Sequence, residues 1–202
     1  MRFRYELLEK IIVYLYRNGF KTTKMTDLSD DLDVTIAVLY KEFGNKQEMI
    51  EACFYHMMKV YDRKTAEICM ESKDPAEMFF RFKNEVLFNI SMVDQRRSWN
   101  ELRTSFHKLY NRELPVQLQQ LILCFESLYG EAKKKDFLRE GVDIPMAAKA
   151  SAFSYFEVLN SPIYDEIEKN FEKVAQWYYD LIVRGCLNTE GILAYNQYNK
   201  NQ

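Results

Sequence analysis

The sequence predicts an all-α protein of about nine helices. Its 202 residues include only six glycines and four prolines, and apolar residues recur between them three and four positions apart, as one face of a helix requires. Short runs that alternate apolar and polar residues, which are typical of β-hairpins, are missing. We therefore expect helices over residues 4–18, 24–32, 36–42, 46–71, 76–93, 97–111, 115–136, 145–160 and 164–187.

Composition restricts the classes of protein to which the chain can belong. Apolar residues make up 48% of it and aromatic residues 15%, which argues against a disordered chain. A net charge of −2 provides no broad basic field, so any contact with nucleic acid has to be local. The four cysteines form no C-x-x-C pair, and the first twenty residues mix charges into apolar positions. We expect reduced thiols, no membrane association and a cytoplasmic location.

The first two predicted helices are joined by a short turn. An apolar stripe runs from Leu8 to Leu15 in the first helix. Gly19 follows, and glycine suits the left-handed conformation just past a helix end. Thr23 is placed to cap the second helix, whose inner face carries apolar residues over 25–32.

The third predicted helix is short and has one buried side. Asp33 occupies the tight turn before it, because aspartate tolerates the left-handed region better than most residues. Thr35 is placed to cap the helix, and Leu39 and Phe43 face the core. The residues expected on the outer side are Ile36, Ala37, Val38, Tyr40 and Lys41.

A long fourth helix over 46–71 leaves this small core. Asn45 and Glu48 have the spacing of a capping box at its start, and a polar break follows its end. We expect one domain over residues 1–46 and a second over 72–202, with the long helix between them. The Asn/Gln-rich end of the chain is expected to be frayed.

The order of these residues resembles the N-terminal domain of TetR/AcrR-type transcriptional regulators over about residues 4–54. The resemblance implies a three-helix helix-turn-helix DNA-binding domain, joined by a long helix to a C-terminal helical domain for ligand binding and dimerisation. It also implies a homodimer on a double-stranded DNA operator and a small-molecule effector that releases the DNA. The matching positions are Ile11, Ile12, Leu15, Gly19, Phe20, Thr22, Thr23, Met25, Leu28, Leu32, Asp33, Val34, Thr35, Leu39, Tyr40, Phe43 and Lys46.

The resemblance implies nine candidate DNA-binding residues. The hydroxyls of Thr35 and Tyr40 suit phosphate oxygens, and Lys46 lies in the first turn of a helix, where free N–H groups and the helix dipole favour an anion. For Thr23, a phosphate contact and a purely structural cap are both open. The full set is Thr23, Lys24, Thr35, Ile36, Ala37, Val38, Tyr40, Lys41 and Lys46.

Two acidic residues depart from the family pattern. Asp33 stands where the turn usually has glycine, and Glu42 stands where a histidine commonly meets phosphate, so both add negative charge near the DNA. Residues 1–46 hold eight basic and seven acidic side chains, so attraction to DNA depends on a local basic face. The candidates for that face are Arg2, Arg4, Lys21, Lys24, Lys41 and Lys46.

The helices beyond residue 72 are rich in aromatic residues, which either pack as a solid core or line an apolar cavity. We name Trp99, Phe106, Tyr110 and Phe125 as candidates for a pocket that takes a small apolar or aromatic effector. Helices 145–160 and 164–187 resemble the family's dimer-forming pair, with ordinary intrachain packing as the alternative. The candidate interface residues are Ala148, Ala152, Tyr155, Leu159, Val174, Trp177, Tyr178 and Leu181.

The sequence contains no recognised catalytic motif. Its two histidines, His56 and His107, have no metal-binding spacing, and phosphate-binding loops and nucleophile elbows are missing. We expect neither an enzyme nor a cofactor or metal. Two functions stay open. The first is a ligand-responsive repressor that binds a palindromic operator. The second is a TetR-like dimer that has lost DNA recognition and binds only ligand or protein. A continuous basic face across residues 2–46 favours the first.

Overall fold

The computed structural model describes residues 2–89, 91–160 and 171–200, and within these ranges it confirms the predicted all-α fold. A π-helical segment, Lys83–Leu87, directly follows the fifth helix. The α-helices of the described ranges are α1 Arg2–Asn18, α2 Met25–Asp31, α3 Ile36–Phe43, α4 Lys46–Glu71, α5 Pro75–Phe82, α6 Met92–Ser105, α7 His107–Lys134, α8 Ile144–Asn160, α9 Phe171–Cys186 and α10 Thr189–Lys200. None of these helices is long and apolar enough to cross a membrane.

The chain divides into two compact units, and α4 and α7 contribute to both. The first unit comprises Met1–Val60 and Asp94–Pro115, and the second comprises Tyr61–Val93 and Val116–Gln202. The functional division into residues 1–46 and 72–202 stays a prediction.

The first unit is built around the apolar faces of its short helices. Ile11 of α1, Leu28 of α2, Leu39 of α3 and Met49 of α4 are fully buried. Burial of each such side chain stabilises the fold by about 1.5–3 kcal/mol. Because α2 and α3 are each shorter than an independently stable helix, this shared core is what holds them in place.

Local signals in the sequence correctly place the turns of this unit. Gly19 and Asp33 have positive φ angles, 88° and 52°, as expected for residues in tight turns. The Thr35 hydroxyl accepts a hydrogen bond from the Val38 N–H at 3.4 Å and so caps α3. The side-chain oxygen of Asn45 accepts a backbone N–H at the start of α4.

The predicted cap at Thr23 is wrong. Thr23 is buried, and its hydroxyl donates to the Gly19 carbonyl at 2.6 Å, so it closes the end of the preceding segment. Lys24 takes the capping position of α2, and its N–H donates to the Asp27 carboxylate at 3.2 Å. A carboxylate in the first turn favours this arrangement, because it lies at the positive end of the helix dipole.

The second unit packs a dense aromatic core. Phe79, Phe82, Phe125 and Tyr129 are fully buried, and the ring centroids of Phe82 and Phe125 lie 5.2 Å apart in an edge-to-face arrangement. Edge-to-face pairs match the positive ring edge to the negative face and add about 0.5–1.5 kcal/mol to burial.

Three helix boundaries in the middle of the chain differ from the prediction. The predicted helix 76–93 ends at Leu87. The next helix begins at Met92 and ends at Ser105, and α7 then continues through Pro115, before which a break was expected. The missing N–H of proline costs one hydrogen bond. Buried residues on both sides of it, Leu109 and Leu121, hold the helix together.

The end of the chain is ordered as far as Lys200, so the prediction of a frayed end is wrong within the described residues. Tyr195 of α10 is fully buried, and its hydroxyl donates to Asp180 at 2.6 Å. The buried ammonium of Lys83 donates to Asp180 at 3.1 Å and to Asn199 at 2.8 Å. Asn199, which lies in the segment expected to be frayed, is therefore a partner of the buried Lys83 charge. The start of the predicted helix 164–187, residues 164–170, lies outside the described residues.

Replacing Gly191 by Ala is expected to lower the free energy of unfolding by about 1–3 kcal/mol. A Cβ on Gly191 would lie 2.9 Å from the Phe137 carbonyl oxygen and 3.2 Å from the Leu187 Cβ, so backbone has to move. Urea denaturation measures the change. Gly130→Ala is the matched control, because open space surrounds that helical position and alanine there is expected to stabilise by about 0.5–1 kcal/mol. Equal effects of the two substitutions would contradict the role of close packing at Gly191.

Candidate functional site

The outer side of α3 brings together five of the nine predicted DNA-binding residues. Leu39 and Phe43 anchor the helix in the core, while Ile36, Ala37, Tyr40 and Lys41 are exposed and Val38 is half-buried. An exposed α-helix of this width fits the major groove of B-DNA. The outer side offers one cationic group, one phenolic hydroxyl and three small or branched apolar side chains to a surface that it meets.

The turn between α2 and α3 fixes the angle at which α3 is presented. The Val34 N–H donates to the Ser29 carbonyl at 3.1 Å, and the Ser29 hydroxyl donates to the Val34 carbonyl at 2.8 Å. Asp33 provides the left-handed residue between them. This reciprocal pair closes the turn without a glycine, so the aspartate at that position is compatible with the helix-turn-helix geometry.

The remaining predicted DNA-binding residues do not all point to the same surface. Lys24 is exposed at the start of α2, but Thr23 is turned inward. Lys46 donates to the Lys21 carbonyl at 2.9 Å, and its ammonium lies 5.6 Å from the centroid of the Phe106 ring. Desolvation lowers the pKa of Lys46, opposed by the carboxylates of Glu101 and Asp27. This lysine thus has a structural partner in addition to its predicted phosphate contact.

The backbone of Lys21, in the loop between α1 and α2, is held from two sides. Glu101 of α6 accepts its N–H at 2.9 Å, and Lys46 of α4 donates to its carbonyl at 2.9 Å. Arg97 of α6 donates to the Arg17 carbonyl at 2.8 Å near the end of α1. Sequence reasoning missed Glu101 and Arg97, because no local pattern joins residues that are 80 positions apart.

The four residues proposed for a ligand pocket are divided between the two units. Trp99 and Tyr110 belong to the first unit, where Trp99 is buried and its ring centroid lies 5.8 Å from that of Phe54. Phe125 is fully buried in the core of the second unit, and Phe106 lies beside Lys46 in the first unit. The pocket stays a prediction, and the ring contacts, such as that of Trp99 with Tyr110 at 6.0 Å between centroids, are those of packed side chains.

A groove of about 580 Å³ lies between α4 and α7 in the second unit. Small side chains form much of its lining, and the exposed side chains of Met70 and Leu123 stand at its edge. Burial raises the pKa of both of its thiols, Cys69 and Cys124. The large rings named from the sequence do not line this groove, whereas Gly130, a glycine inside a helix, does. That glycine was the available sequence signal for the groove. The small residues of the lining are Thr65, Ala66, Cys69, Cys124, Ser127 and Gly130.

The predicted dimer-interface residues differ in exposure between α8 and α9. Ala148, Ala152 and Leu159 of α8 are buried within their own unit, and the Tyr155 hydroxyl donates to the Leu87 carbonyl at 3.0 Å, so these residues serve intrachain packing. On α9, Val174 is half-buried, whereas the side chains of Trp177, Tyr178 and Leu181 are exposed. The outward residues of α8 include Met146 and Phe153, both large, apolar and exposed.

The described helices define an all-α protein in which a helix-turn-helix occupies the N-terminal part. Residues 7–53 match the family model for bacterial regulatory proteins of the tetR family. This match confirms the resemblance predicted from the sequence, and the segment that contains α1, α2 and α3 is a TetR-family helix-turn-helix domain.

Solved structures extend this likeness of fold to most of the chain. A TetR-family transcriptional regulator from Cytophaga hutchinsonii is 14% identical and has a TM-score of 0.63, with 92% of this chain and 95% of that chain covered. The fatty acid degradation regulator FadR from Bacillus halodurans is 15% identical, with 89% and 94% covered and a TM-score of 0.62. SmeT in a complex with triclosan is 16% identical, with 95% and 94% covered and a TM-score of 0.63. No curated protein matches the chain.

Proposed function

We propose that this protein is a ligand-responsive transcriptional regulator, a repressor that binds a palindromic DNA operator as a homodimer in the cytoplasm. The observation that carries the proposal is the outer side of α3, where the predicted reading residues lie together on a helix anchored by a TetR-family core. Such a helix supports binding to the major groove, and two-fold symmetry of a dimer matches a palindrome. We expect no catalytic activity.

Dimerisation is supported by the exposed apolar residues of α8 and α9. Scattered exposed apolar residues are normal on a protein surface, but a contiguous apolar surface marks an interaction site. Met146 and Phe153 lie on the outer side of α8, and Trp177 and Leu181 lie on the outer side of α9. Because α8 and α9 pack on each other, a second copy of the same pair completes a four-helix bundle.

The effector is expected to be a small apolar or aromatic molecule. The repressor SmeT, described as the repressor of a Stenotrophomonas maltophilia multidrug efflux pump, has a solved complex with triclosan. In this chain the groove between α4 and α7 has a volume typical of small-molecule sites, and its lining combines small and apolar side chains with the charged residues Asp62, Glu131 and Lys134. We propose this groove, in place of the four aromatic residues, as the first region to test for effector binding.

A second function stays open because the helix-turn-helix domain carries acidic residues where DNA would bind. Asp33 is exposed in the turn, and Glu42 lies near the end of α3, so both oppose the approach of phosphate. These charges favour a TetR-like dimer that has lost DNA recognition and binds ligand or protein alone. The two functions differ in one measurable property, which is affinity for a defined DNA fragment.

Selection of bound fragments from sheared genomic DNA, followed by titration of the tightest fragment at several salt concentrations, tests the proposed function. A repressor is expected to enrich a palindromic site whose affinity falls with salt. If the folded, ligand-free protein enriches no fragment at low salt, the second function replaces the first.

Two substitutions on α3 test whether this helix makes the contact. Tyr40→Phe is expected to weaken binding about fivefold at every sequence, as loss of a phosphate hydrogen bond requires. Lys41→Ala is expected to reduce the salt slope by about one per protomer.

Matched controls for these substitutions lie on α4. Tyr40 is 49% exposed and Tyr55 is 58% exposed, and Lys59 lies over the Tyr55 ring. Tyr55→Phe and Lys59→Ala are therefore expected to leave DNA affinity unchanged. If the α4 variants lose as much affinity as the α3 variants, α3 is not the reading helix.

A further inference from the structure

The first turn of α1 brings a cation to the end of α3. The Nη1 atom of Arg4 donates to the Glu42 carbonyl at 2.6 Å and lies 3.5 Å from the Glu42 carboxylate oxygen Oε2. The guanidinium carbon lies 5.1 Å from the centroid of the Phe43 ring. One side chain thus contacts the backbone, the carboxylate and the neighbouring ring at the last two positions of the recognition helix.

These contacts offset negative charge at the C-terminal end of α3. The last carbonyl groups of a helix carry partial negative charge, and the carboxylate of Glu42 adds a full one at the same place. A DNA phosphate approaching this end would meet both. The Arg4 guanidinium offsets them, and its charge persists at every physiological pH.

Neighbouring lysines do not replace Arg4 in this role. Lys41 precedes Glu42 directly, and consecutive residues on a helix do not face each other. The ammonium of Lys46 is hydrogen-bonded to the Lys21 carbonyl. Arg4 is therefore the cation that the described structure places on Glu42.

Arg4 also keeps donors for a further partner. A guanidinium has five N–H donors in a planar fork, and the two contacts with Glu42 both use Nη1. The side chain is 48% exposed, so it is accessible to a further partner. Arginine held by one carboxylate and one ring is restricted in its rotamers, which lowers the entropy cost of a second hydrogen bond.

We infer that Arg4 makes the acidic recognition helix compatible with DNA: it neutralises Glu42 and offers its remaining donors to a backbone phosphate beside the end of α3. This inference rests on the proposed function. It gives Arg4, until now only a candidate for the basic face, two specific roles: masking Glu42 through an intramolecular ion pair and contacting a phosphate beside the end of α3. The pair joins residues 38 positions apart, so it follows from the fold alone.

Four proteins test the inference on the tightest genomic fragment: the unmodified chain, Arg4→Ala, Glu42→Gln and the double variant. Arg4→Ala is expected to weaken binding at least tenfold, because it removes a cation and uncovers Glu42. Glu42→Gln is expected to tighten binding about threefold to tenfold, since it removes the acid and releases Arg4. Glu42→Gln is expected to raise affinity more in the Arg4→Ala background than in the unmodified chain, because Glu42 is uncovered only when Arg4 is absent, so the two effects are non-additive.

A purely structural role for Arg4 predicts a different pattern. Loss of the contact with the Glu42 carbonyl would weaken binding through a misplaced helix, and Glu42→Gln would then change affinity by the same factor with and without Arg4. Circular dichroism and urea denaturation establish which variants are folded at the assay temperature. If Arg4→Ala is unfolded, the Glu42→Gln variant decides alone. Tighter binding with a steeper salt slope supports the inference, because the released Arg4 adds a phosphate contact. An unchanged or smaller slope, or unchanged or weaker binding, overturns it.

Failure of the inference and failure of the proposed function are distinguishable. Wild-type affinity in folded Arg4→Ala, or a gain from Glu42→Gln that is no larger without Arg4 than with it, overturns the inference while the unmodified protein still binds its fragment. If none of the four proteins binds any fragment at low salt, the proposed function is overturned together with the inference.

Discussion

Replacing Leu181 by Asp is expected to convert the protein from a dimer into a monomer and to reduce operator affinity by about 100-fold or more. The side chain is 50% exposed on the outer side of α9, so the substitution costs little within one protomer. In the proposed interface it buries an unpaired carboxylate, which costs far more than the loss of one apolar contact. A monomer keeps one recognition helix and loses the avidity of binding two linked half-sites. That avidity typically raises affinity by a factor of about 10²–10⁴.

Light scattering with size-exclusion chromatography measures the oligomeric state, and titration of the selected fragment measures the affinity. Leu193→Asp is the matched control, because Leu193 is 61% exposed and lies on α10, outside the two helices of the proposed interface. This variant is expected to remain a dimer with unchanged affinity. If Leu181→Asp is dimeric and Leu193→Asp is monomeric, the interface lies on another surface and the α8 and α9 proposal is wrong.

Replacing Asp180 by Ala is expected to lower the free energy of unfolding by about 3–5 kcal/mol. Asp180 accepts hydrogen bonds from Lys83 and Tyr195, and the Lys83 side chain is 5% exposed. Without the carboxylate, a buried ammonium keeps only the Asn199 oxygen as a polar partner among these contacts. The cost is therefore the desolvation of an uncompensated charge, in addition to the energy of the pair itself.

Urea denaturation at constant slope measures the loss of stability. Glu67→Gln is the control, because the Glu67 carboxylate forms a solvent-exposed ion pair with Arg63 at 3.7 Å, and such pairs contribute about 0–1 kcal/mol. The double variant Lys83→Met with Asp180→Leu is expected to recover most of the stability, since it removes both charges. A loss for Asp180→Ala below the loss for Glu67→Gln would contradict the role of the buried pair.

The parts of the fold that follow local rules could be predicted from the sequence. Helix α4 has the bounds expected for it, because a capping residue starts it and a polar break ends it. The positive φ angles of Gly19 and Asp33 and the cap at Thr35 depend on a few neighbouring residues. The helix-turn-helix is made of such short-range signals, so its outline and the outer side of α3 could be anticipated.

The parts that depend on tertiary packing could not be predicted. Apolar residues surround most of α8, so the sequence does not distinguish the inward stripe with Ala148 and Ala152 from the outward one with Phe153. Aromatic residues such as Trp99 and Phe125 look the same in a cavity wall and in a core. The pairs Arg4 with Glu42 and Lys83 with Asp180 join distant positions, and no periodicity indicates such contacts.

The hydrogen bond between the Lys21 N–H and Glu101 makes amide exchange at Lys21 sensitive to the position of α6. An amide hydrogen exchanges with water when its hydrogen bond opens, and the Lys21 N–H has its bond to a carboxylate on α6. Its exchange rate therefore measures how long α6 stays against the loop that precedes α2. An effector that displaces α6 would accelerate exchange at this one amide, and the opening would be visible without any DNA in the sample.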